Sequence, residues 1–226
     1  MTDARLLVLD AGTTSTRAML YTPDGTRMAT AQRNLGQHYP RPGWVEQDPI
    51  EIWAQSLACA RDMVAQAGGA DRIAAIGITN QRETVIAWDK RNGRPLAPAI
   101  VWQDRRTADQ CQALRDAGHE SLIQARTGLV IDPYFSATKI RWLLEHTPDG
   151  QSRAESGELC TGTVDSWLLY RLTGGRIHAT DVSNASHTML FNIHTQEWDA
   201  GLLSQLGIPL AMLPEGRPSS SVFGEP

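Results

Sequence analysis

What most constrains this chain is the order in which two hydrophobic periods appear, strand-like first and helical second. The apolar run Leu6-Leu7-Val8-Leu9 gives way to Asp10-Ala11-Gly12-Thr13-Thr14-Ser15-Thr16, a stretch rich in turn formers. Residues 17–21 then read as a return strand, and residues 27–35 as a third strand beyond the Pro23-Asp24-Gly25 turn, where proline presets φ and glycine accepts φ > 0. The chain opens as a β-meander. A helical period begins only after Pro40-Arg41-Pro42-Gly43-Trp44, where Asp48 supplies a cap, Pro49 a first-turn proline and Glu51 an N3 carboxylate. Behind that start, Trp53, Leu57, Ala60, Val64 and Ala67 recur at three- and four-residue spacing, which predicts one buried face before Gly68-Gly69 ends the helix.

Further on, residues 73–79 read as a buried strand because Ile73, Ile76 and Ile78 are β-branched, and residues 84–88 and 99–102 as two more strands around an Arg91-Asn92-Gly93 turn. Helices are expected over 107–117, 120–125 and 136–146, the last with an Ile140, Leu143, Leu144 stripe and a stop at Pro148. A short strand at 159–161 precedes a helix capped by Asp165 that runs to Leu172 and closes at Gly174-Gly175. Residues 189–193 complete the strands, and 199–206 the helices. This alternation predicts an α/β domain with a mixed sheet flanked by helices, one domain over nearly the whole length with room for an α-rich insertion at 104–158.

Composition narrows the function classes. At 226 residues the chain is long enough to bury a real core without staples, and 21 Lys+Arg against 25 Asp+Glu, with no dense basic run, lacks the footprint of nucleic-acid binding. The apolar start is far too short for a signal h-region or a membrane span, so a cytoplasmic protein is expected. Cys59, Cys111 and Cys160 are too far apart for a C-x-x-C clamp and read as reduced structural thiols, and the six histidines show no metal-ligand spacing.

Four polar segments can carry chemistry. In Asp10-Ala11-Gly12-Thr13-Thr14-Ser15, Gly12 lets backbone approach an anion, Thr13, Thr14 and Ser15 can donate to phosphate oxygens, Asp10 can hold Mg²⁺, and Arg17 adds positive charge. A plain hairpin turn that satisfies its own backbone is an equal reading of the same residues. No Walker A or G-x-G-x-x-G motif is present, which removes P-loop and dinucleotide-binding readings. Thr79-Asn80-Gln81-Arg82-Glu83-Thr84 forms a polar island between apolar strands, where Arg82 and Glu83 can supply donors and an acceptor to a polyol, or simply form a solvated connection. Trp102 opens a polar, basic run through Arg106 and can lie against a carbon chain or simply be core, and Tyr134 puts a hydroxyl just before the helix starting at Ser136, which alone marks only a loop-to-helix junction.

Taken together, these segments resemble the amino-terminal half of the glycerol kinases, in the carbohydrate kinase superfamily with the actin-like, ribonuclease-H-like fold. The resemblance runs through Pro40 to Glu46, Gly77 to Thr84, Trp102 to Thr107, Thr127 to Ser136, Gly162 to Leu168 and Thr188 to Thr195, in that order. It implies ATP-dependent phosphorylation of glycerol to sn-glycerol 3-phosphate. Asp10 would help organise Mg²⁺, and Thr13, Thr14, Ser15 and Arg17 would face the nucleotide phosphates. Arg82, Glu83 and Tyr134 would hydrogen-bond glycerol, and Trp102 would cover its carbon backbone. Two positions depart from the pattern: Ala11 where such kinases commonly carry glutamine, and His187 where they commonly carry arginine.

The resemblance also implies a chain about twice as long, whose second actin-like domain supplies the adenosine pocket and the catalytic aspartate. The 226 residues are therefore expected to be the amino-terminal domain, nearly inactive alone, of a protein that is a homo-oligomer at full length. A polyol-binding module without the second domain is the rival reading. A ribonuclease-H-like nuclease is disfavoured by a single well-placed Asp and the mildly acidic balance.

Overall fold

A computed structural model describes residues 4–226. They divide into two compact units: residues 4–37 with Gln47–Gln81, and His38–Glu46 with Arg82–Pro226.

The first unit contains β1 (Arg5–Ala11), β2 (Ser15–Tyr21) and β3 (Arg27–Asn34), then α1 (Pro49–Ala67) and β5 (Ile73–Asn80); the two-residue strand β4 (Glu46–Gln47) is no part of their sheet. The first three strands form the predicted antiparallel meander, and β5 runs parallel to β1, giving the mixed order β3-β2-β1-β5. Period-two alternation buries Leu7, Leu9, Ala11, Ala18 and Leu20, and α1 packs across these strands. The helix starts as its sequence dictates: the Asp48 carboxylate accepts from the Ile50 N–H at 2.8 Å with Pro49 in the first turn, and Gly68 at φ +93° closes the other end.

Two expectations fail in this unit. The buried face of α1 is Ile52, Ser56, Cys59, Ala60 and Met63, while of the predicted stripe only Ala60 is buried. The cause is a buried hydroxyl on β2. Thr16 is fully buried, and its Oγ1 meets Ser56 Oγ at 2.8 Å while Cys59 Sγ contacts its carbonyl at 3.8 Å, so the face turns about 100° from the purely apolar stripe. The strand β5, expected to be buried, has no buried residue: Ile73, Ile76 and Ile78 are half-covered and Ala74, Ala75, Gly77 and Thr79 are exposed. It pairs with β1 on one side and ends the sheet, and β-branched residues report fit to a pleat rather than depth.

The second unit contains β6 (Ile86–Asp89), β7 (Ala99–Ile100), α2 (Ala108–Asp116), α3 (Glu120–Thr127), α4 (Ser136–Glu145), α5 (Gly150–Glu155), β8 (Leu159–Gly162), α6 (Val164–Leu172), β9 (Ala179–Asp181), α7 (Val182–Ala185), β10 (Phe191–Asn192), β11 (Glu197–Trp198), α8 (Ala200–Leu206) and β12 (Glu215–Arg217). Its core runs from Val85, Ile100 and Ile123 through Ile140 and Leu143 of α4 to Met189, Leu202 and Leu213. β6 pairs antiparallel with β8, and β9 parallel with β12.

Here the expected strand at 189–193 shrinks to Phe191–Asn192, because Met189 sits at φ +65°, outside any strand conformation. The strand expected at 99–102 is likewise only Ala99–Ile100. Thr163, not Asp165, is the N-cap position of α6. Asp165 lies inside the first turn, where its buried carboxylate accepts hydrogen bonds from the hydroxyls of Thr163 and Thr180, the latter at 2.6 Å. Residues 38–46 fold as a small hairpin, with His38 and Glu46 exchanging backbone hydrogen bonds of 2.8 and 2.9 Å.

Candidate functional site

The first group of candidate residues lies at the β1–β2 turn. Gly12, Thr13 and Thr14 form the turn itself, and each of their carbonyls is held by a donor: Gln81 Nε2 on Gly12 at 3.3 Å, Gln47 Nε2 on Thr13 at 2.6 Å and the Leu35 N–H on Thr14 at 2.9 Å. Gln81 Nε2 also donates to Gln47 Oε1 at 2.7 Å, so the two amides support one another. A Cβ at Gly12 would stand 3.1 Å from the Ser15 carbonyl, a tight approach. Ser15 itself lies in β2 and is buried.

Asp10 and Arg17 sit directly across the β1–β2 ladder, with Arg17 Nη1 3.5 Å from Asp10 Oδ2. Both side chains remain partly open to solvent, and Arg17 also donates to Gln32 Oε1 at 2.9 Å. Ala11 is fully buried on the α1 side of the sheet.

At the neighbouring strand end, β5 leads into the second polar segment. The Gln81 N–H donates to the Ala11 carbonyl at 2.7 Å, continuing the parallel ladder that pairs Asp10 with Thr79 and Ala11 with Asn80. Thus the turn and the start of the polar island are hydrogen-bonded neighbours within the first unit. Arg82 is the next residue in the chain and opens the second unit.

In the second unit the structure brings Arg82, Glu83, Trp102 and Tyr134 together. Glu83 is the central residue of a three-residue turn closed by the Thr84 N–H on the Arg82 carbonyl at 2.8 Å, and its φ of +62° is one a glutamate rarely adopts. Its side chain is 2% exposed, with Oε1 2.5 Å from His187 Nδ1. Burial, followed by the charge of the nearby Glu83 carboxylate, raises Tyr134 above the usual phenol range; Arg82 nearby pulls the other way. The Tyr134 and Trp102 rings meet edge to face at 5.7 Å. Backbone strain of this kind clusters where a side chain must point somewhere its strand would not send it.

The supports of this group are also visible. The N-terminal turn of α4 anchors it: Ser136 Oγ donates to the Glu83 carbonyl at 3.3 Å, and Lys139 Nζ donates to the Tyr134 carbonyl at 2.5 Å. Lys139 is fully buried, and burial pushes it down to about 7, opposed by the charges of Glu83 and Asp104. Trp102 takes its place from the loop after β7. There its N–H donates to Thr84 Oγ1 at 3.2 Å, while buried Asp104 accepts from the Val45 N–H and from Arg106. Arg106 also pairs with Glu46 at 2.8 Å and stacks over Trp44, 3.7 Å from the ring centroid. The sequence reading missed Gln47, Lys139 and the pairing of His187 with Glu83. None carries a local signal, because each acts through a partner distant in sequence.

The first unit thus carries a carboxylate at a strand mouth and a turn with braced carbonyls, and the second a group of Arg82, Glu83, Trp102 and Tyr134. Comparison with known proteins shows the family. Residues 5–226 match the model of the FGGY family of carbohydrate kinases, N-terminal domain, and the chain belongs to that family. Within it, the chain is 59% identical over 221 residues to a glycerol kinase of Thermus brockianus, covering 97% of this chain and 45% of that protein. It is 57% identical over 223 residues to a glycerol kinase of Polaromonas naphthalenivorans, with 98% and 45% covered. The crystal structure of Plasmodium falciparum glycerol kinase with ADP superposes with a TM-score of 0.91 at 34% identity, over 98% of this chain and 44% of that one. A ligand-bound xylulose kinase from Lactobacillus acidophilus gives 0.87 at 25% identity, with 98% and 43% covered. The expected resemblance and the actin-like α/β fold class are both borne out, and the chain spans about 45% of the length of the curated relatives it matches.

Proposed function

We propose that this chain is the polyol-binding and phosphate-facing part of an ATP-dependent glycerol kinase, which transfers the γ-phosphoryl of ATP to a terminal hydroxyl of glycerol and releases ADP. The observation that carries this reading is the convergence of Glu83, Tyr134 and Trp102 at a strained turn beside Arg82. Glycerol offers three hydroxyls on a short carbon chain. Arg82 donates to them, the Glu83 carboxylate accepts, the Tyr134 hydroxyl can do either, and the Trp102 ring covers the apolar side. Such a set holds one hydroxyl toward phosphorus, and orientation is worth several orders of magnitude in rate.

On the nucleotide side, the family resemblance has Thr13, Thr14 and Ser15 of the β1–β2 turn facing the phosphate oxygens, and Arg17 adds charge. Ser15, buried in β2, serves best as the turn's frame. The donor chemistry at Asp10 fits Mg²⁺. Its carboxylate is a hard oxygen ligand with solvent access, and among the described residues no group of three or more His, Cys, Asp or Glu forms a closed cage, which suits an ion that keeps waters and phosphate oxygens. When bound there, Mg²⁺ neutralises charge on the nucleotide's phosphates.

No general base is assigned within these residues. By the family resemblance, a catalytic aspartate is expected outside the matched residues, and general-base help of that kind is worth about 10²- to 10⁴-fold in rate. A cytoplasmic homo-oligomer is part of the same proposal; among the described residues no helix is long and apolar enough to cross a membrane. Phosphorylation assays of the full-length protein against glycerol, xylulose and gluconate test the reading. Preference for glycerol is expected, and preference for either sugar overturns it.

A further inference from the structure

We infer that His187 is a positioning residue that fixes the Glu83 carboxylate, and that this contact selects a ligand bearing the hydroxyl Glu83 accepts; the inference rests on the glycerol reading of the pocket. His187 Nδ1 lies 2.5 Å from Glu83 Oε1, and the two residues are 104 positions apart in the chain. The carboxylate is almost wholly buried while the imidazole is 34% exposed, so His187 reaches in from a more open position to meet a closed one.

Both ends of the contact are held by one helix. In the first turn of α4, Ser136 Oγ donates to the Glu83 carbonyl at 3.3 Å and the Ala137 N–H donates to the Thr188 carbonyl at 2.9 Å. The backbone of His187 is fixed a second time by its own N–H on the Asn184 carbonyl at 3.1 Å, at the end of α7. Glu83 is pinned at φ +62° and Met189, two residues past His187, at φ +65°. Neither main chain can shift to follow the other, which leaves side-chain rotation as the remaining freedom of Glu83.

A glutamate has three side-chain torsions, and a carboxylate free to rotate presents its lone pairs to any nearby donor. With Oε1 held by His187 and the carboxylate almost wholly buried, the remaining acceptor sites point in set directions. A buried acceptor so oriented rewards the matching hydroxyl and penalises its absence, because the unmet group stays desolvated. At this position the family resemblance leads one to expect arginine. A guanidinium also donates to a carboxylate, so the role requires a donor and not a particular ring.

The test is calorimetric titration of the full-length protein that carries this chain with glycerol and with 1,2-propanediol, which lacks one terminal hydroxyl. His187→Phe keeps a ring and removes the donor; His187→Arg keeps a donor and changes the shape. We expect His187→Phe to weaken glycerol about tenfold and propanediol less than about twofold, collapsing the preference for the triol, and His187→Arg to restore most of it. Combined with Glu83→Gln, His187→Phe is expected to add nothing further. Equal weakening of both ligands by His187→Phe, or no weakening in a variant that melts like the wild type, overturns the inference. If the wild type takes up no glycerol and Arg82→Ala changes nothing, the pocket reading itself fails first.

Discussion

The Gln81 N–H donates to the Ala11 carbonyl at 2.7 Å, one step beyond the last paired residues of β1 and β5. Through that bond and the Gln81 side chain, the β1–β2 turn and the end of β5 form a single hydrogen-bonded body with Gln47. A turn braced on its carbonyl side presents its other side with little left to reorganise, which is what an anion site needs.

Replacing Gln81 with leucine removes the donor to Gly12 and to Gln47 while leaving the main-chain bond to Ala11. The buried Gln47 Oε1 and the part-buried Gly12 carbonyl each lose a donor, so a loss of about 1–3 kcal/mol in urea unfolding is expected. ADP affinity of the full-length protein should fall in parallel, and unchanged affinity would separate the turn from the phosphates.

Asp104 sits under the loop that carries Trp102 and is matched by Arg106, both essentially without solvent contact. Asp104→Ala leaves a buried guanidinium with one carboxylate, Glu46, beside its stacking on Trp44, and also frees the Val45 N–H. Such a break costs about 3–5 kcal/mol. Chemical denaturation should show it, and a loss below 1 kcal/mol would mean that the pair adds little to the second unit.

Glycine and alanine at position 83 should reverse their usual order of stability. Both remove the carboxylate equally, yet at φ +62° alanine bears the left-handed penalty and glycine does not. Glu83→Gly should therefore unfold about 1 kcal/mol later than Glu83→Ala, with neither binding glycerol. Thermal melts of the two variants decide it.

Lys139 supplies a pH signature. Burial lowers its folded-state value to about 7, so between there and the ordinary lysine range the unfolded chain binds the additional proton and stability rises with pH. Relative to Lys139→Met, the wild type should gain on the order of 2 kcal/mol between pH 7 and 9. Parallel curves for the two proteins would show that the ammonium finds more compensation than its burial suggests.

Features set by neighbouring residues were legible in the sequence. The meander of β1 to β3 and the ends of α1 follow from turn formers and caps within a few positions, and structure and reading agree there. The buried face of α1 was not legible, because it is chosen by Thr16 on another strand, and a hydrophobic pattern discounts a serine. The group proposed to bind a polyol was legible as residue types, Arg82, Glu83, Trp102 and Tyr134, since strand ends concentrate polar side chains. Its geometry was not: nothing around Glu83 announces a positive φ, and His187 stands out only as a departure from a family pattern. Long-range pairings such as His187 with Glu83 exist only after the chain has closed loops that no local window spans.

The hairpin at 38–46 has a consequence for biosynthesis. Its backbone partner Asp104 lies 59 residues downstream of Val45. At about 5–20 residues per second, Trp44 and Val45 emerge from the ribosome roughly 3–12 s before the loop that will cover them. Through that interval the nascent chain carries an apolar bend with nothing to dock on, flanked by segments already able to pair. A pause in translation before Arg106 would prolong that exposure, making codon choice over that stretch a determinant of yield.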